Sequence, residues 1–221
     1  AELAGGKVVE VSTGPATQFL PTAQQIQRAI TPHSRLLILN SPSNPCGTMY
    51  PPDLLREIAA VVERAAATIA PNLVVISDEI YEKIAYGGIP HFSIGSVPGI
   101  AQRVITLNGL SKAYAMTGWR IGYTGTSGEF GRRFMAAYAT LQGQMSTNIT
   151  SFVYPAIPAA VSKGQTEVER MNAAFAARAK LINTLLADIP NLKLAPSTGA
   201  FYAFPDVSAY FGKTSPAGRS I

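Results

Sequence analysis

The chain has 221 residues, of which 47% are hydrophobic and 14% are charged. This balance is typical of a globular protein and excludes a disordered chain, which has too few apolar residues to form a core. Lys and Arg number 18 against 13 Asp and Glu, but the basic residues are scattered along the chain. They form no clustered basic stripe of the kind that nucleic-acid binders use, so we expect no nucleic-acid partner.

Apolar runs in the sequence are short, and none approaches the roughly 20 residues that span a bilayer, so we expect no membrane segment. Cys46 is the single cysteine; this excludes an intrachain disulfide and is compatible with a cytoplasmic location. The first six residues resemble the last turn of a helix with a glycine stop, and residues 215–221 resemble the start of a further element. We therefore expect an internal piece of a longer protein.

The first half of the chain alternates between predicted strands and a helix. Apolar runs rich in β-branched residues predict strands at 35–40, 73–78, 103–108 and 120–124. Between the first two, a periodic apolar segment opened by Pro51-Pro52 predicts a helix, because proline suits the first helical turn. Strand–helix–strand order with unbroken apolar strands predicts an α/β fold, with a mainly parallel sheet sandwiched by helices.

The second half is predicted to be mainly helical. Helices are expected at 129–141, 151–161 and 165–187, followed by strands at 192–194 and 200–204 that belong to a different unit. Composition shifts near Gly164. We therefore predict a large domain over residues 1–164 and part of a smaller α+β domain over residues 165–221.

Each of the first three predicted strands ends in a polar residue. Asn40 leads on to Asn44, the second strand ends at Asp78, and Asn108 leads on to Lys112. In open α/β sheets the ligand crevice lies outside the carboxyl ends of the strands. These polar groups are therefore a predicted site.

Lys112 and Arg120 share one segment, from Gly109 to Gly122, in which a turn of small residues follows a strand. A lysine against apolar walls loses part of its preference for the charged form, and its neutral amine can attack a carbonyl. Arg120 offers a planar, permanently charged fork that suits a phosphate. The segment thus predicts a carbonyl-binding amine beside a phosphate site.

The two earlier strands add a carboxylate, a phenol and an amide. Asp78 at a strand end needs a cationic partner, and a protonated pyridine nitrogen would serve. Tyr81 follows three residues later and could reach a substituent of the same ring. Asn44 lies in a turn fixed by two prolines and a glycine, so its amide points in a defined direction with both a donor and an acceptor.

These three segments, in this order, resemble the fold-type I pyridoxal-phosphate aminotransferases of the aspartate-aminotransferase-like class I/II group. The resemblance runs from Leu3-Ala4-Gly5-Gly6 to Pro196–Tyr202. It implies that Lys112 is the catalytic lysine, which binds pyridoxal 5'-phosphate as a Schiff base and moves a proton. It also implies that Asp78 pairs with the pyridine nitrogen, that Tyr81 and Asn44 bind the phenolic oxygen, and that Arg120 binds the phosphate. Asn44 is also implied to contact the substrate carboxylate.

The implied activity is the transfer of an amino group between an amino acid and a 2-keto acid, by a cytoplasmic homodimer whose residues 1–164 bind the cofactor. The family also has an upstream glycine-containing phosphate loop and a downstream arginine for the substrate carboxylate, which these 221 residues do not match. We therefore expect little turnover from this chain. Cys46 stands where the family usually has threonine, a change that we expect to be neutral.

Other assignments remain open from sequence. A carbon–sulfur lyase of the same fold would share the cofactor residues, and a non-catalytic aminotransferase-like domain would bind the cofactor as a sensor. A third alternative is a chain that folds without any activity. Simpler roles are predicted for three tempting residues: His33 and His91 as loop residues without metal-ligand spacing, and Glu79 as a structural partner beside Asp78.

Overall fold

The computed structural model describes residues 1–220. Short single turns connect its helices and strands, which are, in chain order, α1 (Ala23–Ala29), β1 (Leu36–Asn40), α2 (Pro52–Ala67), β2 (Val74–Asp78), β3 (Val104–Gly109), β4 (Gly122–Gly125), α3 (Gly128–Met145), α4 (Ala156–Lys163), α5 (Gln165–Ala187), β5 (Lys193–Leu194) and β6 (Pro205–Asp206).

The main sheet has the strand order β1-β2-β3-β4. The first three strands are parallel, with Asn40 opposite Asp78 and Asp78 opposite Leu107. The fourth strand runs antiparallel to β3, and β5 and β6 form a separate antiparallel pair. The mainly parallel α/β sheet predicted from sequence is therefore confirmed, and the carboxyl ends of three strands meet at one edge.

Helix α2 covers one face of this sheet because its apolar residues recur at helical spacing. Its buried side chains include Ile58 and Val62, which share one core with Leu39, Val75 and Val104 from the three parallel strands. Burying each aliphatic side chain of this size stabilises the fold by roughly 1.5–3 kcal/mol. This packing holds the three strand ends in a fixed relation to one another.

The opposite face of β1 stays accessible. Side chains alternate between the two faces of a strand, and Leu39 is buried under α2 while Leu36 and Ile38 are 44% and 61% exposed. The long helices α3 and α5 also bury few of their residues. Within residues 1–220, no helix combines the length and apolar character needed to cross a membrane.

Several predicted elements need correction. The strand expected at 120–124 lies at Gly122–Gly125, and the helix expected at 151–161 is a short turn at Ser151–Val153 followed by α4. The strand expected at 200–204 is wrong, because the chain turns at Ala200, whose φ is 55°. Helix α5 has the predicted bounds, whereas α1 was not predicted.

Residues 197–202, hereafter the return segment, bring the end of the chain back to the sheet. Gly47 O accepts hydrogen bonds from Thr198 N at 2.7 Å and Gly199 N at 3.0 Å, and Ala200 N donates to Ile84 O at 2.8 Å. These bonds explain the failed strand prediction, since the backbone of the return segment is bound to loops and not to a neighbouring strand.

Candidate active site

The site begins at the carboxyl ends of β1 and β2. Asn40 Nδ2 donates to Asp78 O at 3.2 Å, and Asn40 Oδ1 accepts from Asn44 N at 2.7 Å. Asn40 thereby ties the turn that carries Asn44 to the end of β2. The peptide bonds before Pro42 and Pro45 in this turn are both cis. As the sequence predicted, Asn44 and Asp78 belong to one edge of the sheet.

Asp78 begins a turn that leads to Tyr81. Its Oδ1 accepts a hydrogen bond from Ile80 N at 3.2 Å, a local bond of the kind that aspartate makes at turns. Asp78 is half-buried, and its other oxygen, Oδ2, accepts no hydrogen bond from residues 1–220. One carboxylate oxygen is therefore used by the fold, and the other is available to a ligand.

Tyr81 is buried, and its hydroxyl lies 2.5 Å from the hydroxyl of Tyr202. Burial raises the pKa of the Tyr81 phenol well above its ordinary value; the Tyr202 hydrogen bond and the nearby Asp78 charge raise that pKa further, and the Asn44 side chain partly offsets them. Tyr81 is consequently protonated at neutral pH, so its hydroxyl can donate a hydrogen bond.

Lys112 reaches the same cluster from the loop after β3. Its Nζ lies 5.6 Å from the ring centroid of Tyr81 and 5.6 Å from that of Phe201. The two rings meet edge to face, with centroids 5.3 Å apart. These distances lie within the range of cation–π attraction, so the aromatic pair holds the amine beside the Tyr81 ring.

The loop that carries Lys112 is closed at its base. Leu110 N donates to Ile121 O at 3.2 Å, and both side chains are buried in one small core with Val153. Gly109 permits this closure, because a Cβ at that position would lie 2.7 Å from Ile121 O. The loop is therefore anchored on both sides of the lysine.

Arg120 lies on this loop but outside the cluster. Its Nη1 donates to Thr117 O at 3.0 Å, and the exposed side chain lines a cavity of about 640 Å³ with Gln142, Asn148 and Thr150. No hydrogen bond or ion pair among residues 1–220 joins Arg120 to another predicted site residue. The structure thus brings together Lys112, Asp78, Tyr81 and Asn44, with Arg120 near the base of the same loop.

Two aromatic residues of the return segment are site residues that the sequence did not predict. Tyr202 bonds the hydroxyl of Tyr81, and Phe201 forms half of the ring pair beside Lys112. The only sequence signal was a pair of aromatic residues after Gly199. That signal also suits a strand, which is the interpretation the sequence favoured.

The donor set suits one kind of ligand. Three of these groups have no side-chain partner, hydrogen-bonded or charged, within residues 1–220. They are Lys112 Nζ, Asp78 Oδ2 and the Arg120 guanidinium. The amine complements an aldehyde, and the carboxylate complements a protonated ring nitrogen. The phenol complements a phenolic oxygen, and the guanidinium complements a phosphate. The residues present therefore fit a phosphorylated pyridine aldehyde.

Known proteins match this chain over most of its length. The sequence profile of the family "Aminotransferase class I and II" matches residues 1–216. A Petunia hybrida protein named bifunctional aspartate aminotransferase and glutamate/aspartate-prephenate aminotransferase is 40% identical over 215 residues, which are 96% of this chain and 43% of that protein. An aspartate aminotransferase from Bacillus sp. is 36% identical, over 96% of this chain and 52% of that protein.

Solved structures agree with the sequence matches. The aspartate aminotransferase of Rhizobium meliloti superposes with a TM-score of 0.85 at 34% identity, over 95% of this chain and 50% of that one. A double mutant of the Thermus thermophilus enzyme gives a TM-score of 0.85 at 35% identity, over 97% and 52%. The chain spans about half the length of the curated relatives it matches.

Proposed function

The chain belongs to the aminotransferase class I and II family, and from that premise we propose that its protein moves an amino group between an amino acid and a 2-keto acid with pyridoxal 5'-phosphate. The observation that carries the proposal is the convergence of Lys112, Asp78, Tyr81 and Asn44 at one edge of the sheet. Family membership alone would leave the cofactor residues unassigned, since function resides in the site and not in the fold.

Four side chains would hold the cofactor, each through a different group. Asp78 would pair with the pyridine nitrogen through Oδ2, Tyr81 and Asn44 would bind the phenolic oxygen, and Arg120 would bind the phosphate. When bound, pyridoxal phosphate supplies a reactive aldehyde and a ring that withdraws electrons from the substrate. The Asp78 carboxylate would keep the ring nitrogen protonated, because an opposite charge close by favours the charged form.

Lys112 has two roles in this proposal. Its Nζ is the nucleophile that would attach the cofactor, and it is the base that takes a proton from the α-carbon of the amino acid. Asn44 would orient the substrate carboxylate with its exposed amide. The Tyr81 and Phe201 rings lie within 5.6 Å of Nζ and would orient the amine for proton transfer.

The backbone of Arg120 supports a functional role for that residue. Arg120 occupies the left-handed region with φ 56° and ψ 45°, which costs roughly 1–2 kcal/mol for a residue with a side chain. Such conformations concentrate at functional sites. Arg120 lines a cavity whose other lining residues include the amides of Gln142 and Asn148, which are suitable partners for a phosphate.

The proposal extends to the whole protein. The relatives carry names of aspartate aminotransferases, so aspartate is the first amino donor to test, with a 2-keto acid as acceptor. We also propose a cofactor-binding domain over residues 1–164 and a second domain that begins at residue 165. A homodimer is supported by exposed apolar residues on α3, such as Leu141 and Met145, and a cytoplasmic location by the single cysteine.

Borohydride trapping tests the central residue. The chain is incubated with pyridoxal phosphate, reduced, digested and mapped by mass spectrometry. We expect one dominant adduct on Lys112, lost in K112A and retained in K83A, because Lys83 is a surface lysine on a neighbouring turn. An adduct spread evenly over surface lysines in both the wild type and K112A would refute the proposed role of Lys112.

A further inference from the structure

A buried carboxylate lies directly beside the proposed cofactor residues. Glu79 follows Asp78 and is 3% exposed. Its backbone N–H donates to Leu107 O at 2.9 Å, so the pairing with β3 continues one residue beyond β2. Consecutive residues of an extended strand point to opposite faces, and the Glu79 side chain is therefore directed away from that of Asp78.

Glu79 is held by three side chains. Its Oε1 accepts hydrogen bonds from Ser77 Oγ at 2.8 Å and Ser93 Oγ at 2.7 Å, and its Oε2 lies 3.0 Å from His91 Nε2. A buried carboxylate without partners would cost several kcal/mol, whereas a fully bonded one rigidifies its surroundings. His91 does lie in a loop, as the sequence predicted, but its ring is a structural partner of Glu79.

This network consists of hydrogen bonds between side chains. Glu79, Glu82 and His91 place ligand atoms within 4.8 Å of one another, but both Glu79 oxygens and the His91 Nε2 atom are already engaged in hydrogen bonds. The arrangement instead joins the end of β2 to the segment that precedes the buried Ile94. These hydrogen bonds therefore fix the position of the chain at the end of β2.

Glu79 also sets the turn that carries Tyr81. Its carbonyl accepts from Glu82 N at 2.9 Å, and Tyr81 O accepts from Ile84 N at 2.8 Å. Between Asp78 and Tyr81, Glu79 is thus the one residue that is fixed by side-chain hydrogen bonds. Asp78 and Tyr81 are the residues proposed to bind the ring nitrogen and the phenolic oxygen of the cofactor. Movement of Glu79 would shift both of them.

We propose that Glu79, held by His91 and Ser93, is a positioning residue that fixes Asp78 and Tyr81 relative to each other for cofactor binding. The inference rests on the proposed function, because it assigns these two residues to the cofactor. Glu79 itself is assigned no contact with the cofactor. Its substitution should therefore alter the affinity and the absorption spectrum of bound pyridoxal phosphate while leaving every proposed cofactor contact chemically intact.

The test compares E79A, E79Q and R103M with the wild type. E79A removes all three bonds. E79Q keeps the shape, and its amide oxygen can still accept from both serines while its amino group faces a histidine whose tautomer can adapt. Arg103 bonds Pro71 O at 2.6 Å at the other end of the sheet, so R103M is a destabilising control remote from the site.

Two measurements are made on each variant. Hydrogen exchange of the cofactor-free chain reports on the amides of residues 80–84, and titration with pyridoxal phosphate followed by absorbance reports on binding. For E79A we expect about tenfold faster exchange at residues 80–84 and roughly 10- to 100-fold weaker binding, as for other groups that orient a ligand. E79Q should restore most of the exchange protection and most of the cofactor affinity. R103M should change neither quantity.

The outcomes separate this inference from the proposed function. Unchanged exchange at residues 80–84 in E79A, or faster exchange there in R103M as well, would overturn the positioning role. Faster exchange with unchanged cofactor affinity and spectrum would also overturn it, since Glu79 would then be structural only. If the wild type forms no Lys112 adduct, the proposed cofactor role fails, and the exchange measurement still decides whether Glu79 fixes the segment.

Discussion

Asp78 uses one oxygen for its own turn and leaves the other open to the site. We predict that D78N weakens pyridoxal phosphate binding, because the amide keeps the turn bond but loses the charge opposite the ring nitrogen. A hydrogen bond to a charged group is worth about 1.5–3 kcal/mol, or roughly a 10- to 150-fold change in affinity. Absorbance titration measures the effect.

The matched control for this change is D53N, which removes the same charge from an exposed position at the start of α2. We expect D53N to bind the cofactor as the wild type does. Equal weakening in both variants would show that net charge, and not the position of Asp78, governs binding.

Tyr50 provides a pH-dependent prediction. Burial, followed by the nearby Cys46, raises the pKa of its phenol from 10.0 to about 12. The folded protein therefore keeps a proton that the unfolded chain releases above pH 10, so this contribution to stability is full below pH 10 and is lost as the pH rises towards 12. The expected loss is on the order of 2 kcal/mol.

Urea unfolding at a series of pH values measures this loss. Y50F should unfold with a smaller decrease in stability between pH 10 and 12, whereas Y138F, which removes an exposed hydroxyl from α3, should follow the wild type. If Y50F and the wild type lose stability in parallel, Tyr50 does not contribute to the alkaline transition.

At this scale, sequence predicted the residues that belong to local motifs. Asp78 and Tyr81 share one turn, and Lys112 lies on one loop after a strand, so short-range spacing was enough to predict that they belong to one edge of the sheet. Tyr202 could not be found in this way, because its contact with Tyr81 joins residues 121 positions apart. Only the tertiary fold brings these two hydroxyls together.

Among the connecting elements, the turn around Gly47 shows most directly how close packing selects an amino acid. Its φ is +70°, and a Cβ there would lie 2.5 Å from Tyr202 O and 2.8 Å from Ser197 Cβ. We predict that G47A destabilises the fold by about 2–4 kcal/mol, combining the left-handed conformation with overpacking. Urea unfolding gives the value.

Gly88 is the matched control for this turn. Its φ is +75°, and a Cβ there would meet nothing within 4 Å. We therefore expect G88A to cost only about 1 kcal/mol, from backbone conformation alone. Equal losses in the two variants would show that the return segment does not press against Gly47.

The elements differ in how far sequence could predict them. The three parallel strands and α2 follow from apolar periodicity. Helix α1 also had a local signal, because Thr22 and Gln25 form a capping box. The antiparallel direction of β4 did not follow from the sequence, because the segment between Gly109 and Gly122 is long enough for a parallel crossover as well. The turn at Ala200 depends on distant loops and left no local trace.

For the molecule as a whole, the return segment bears on the predicted domain boundary at Gly164. By sequence this segment belongs to the second unit, yet its amides bond Gly47 and Ile84 of the first. We predict that amides 198–200 exchange with protection similar to that of β2. If amides 198–200 exchange completely well before the amides of β2 begin to exchange, the return segment detaches separately from the sheet. The exposed end of α5 serves as the fast-exchanging reference.

The ring pair beside Lys112 has a consequence for biosynthesis. Phe201 lies 89 positions after Lys112 (201 − 112), so at about 5–20 residues per second the ribosome adds the second ring roughly 4–18 s after the lysine. During this interval the lysine, Asp78 and Tyr81 are already made, while the wall formed by Phe201 and Tyr202 is not. The complete ring pair beside Lys112 can therefore form only after Phe201 has been synthesised.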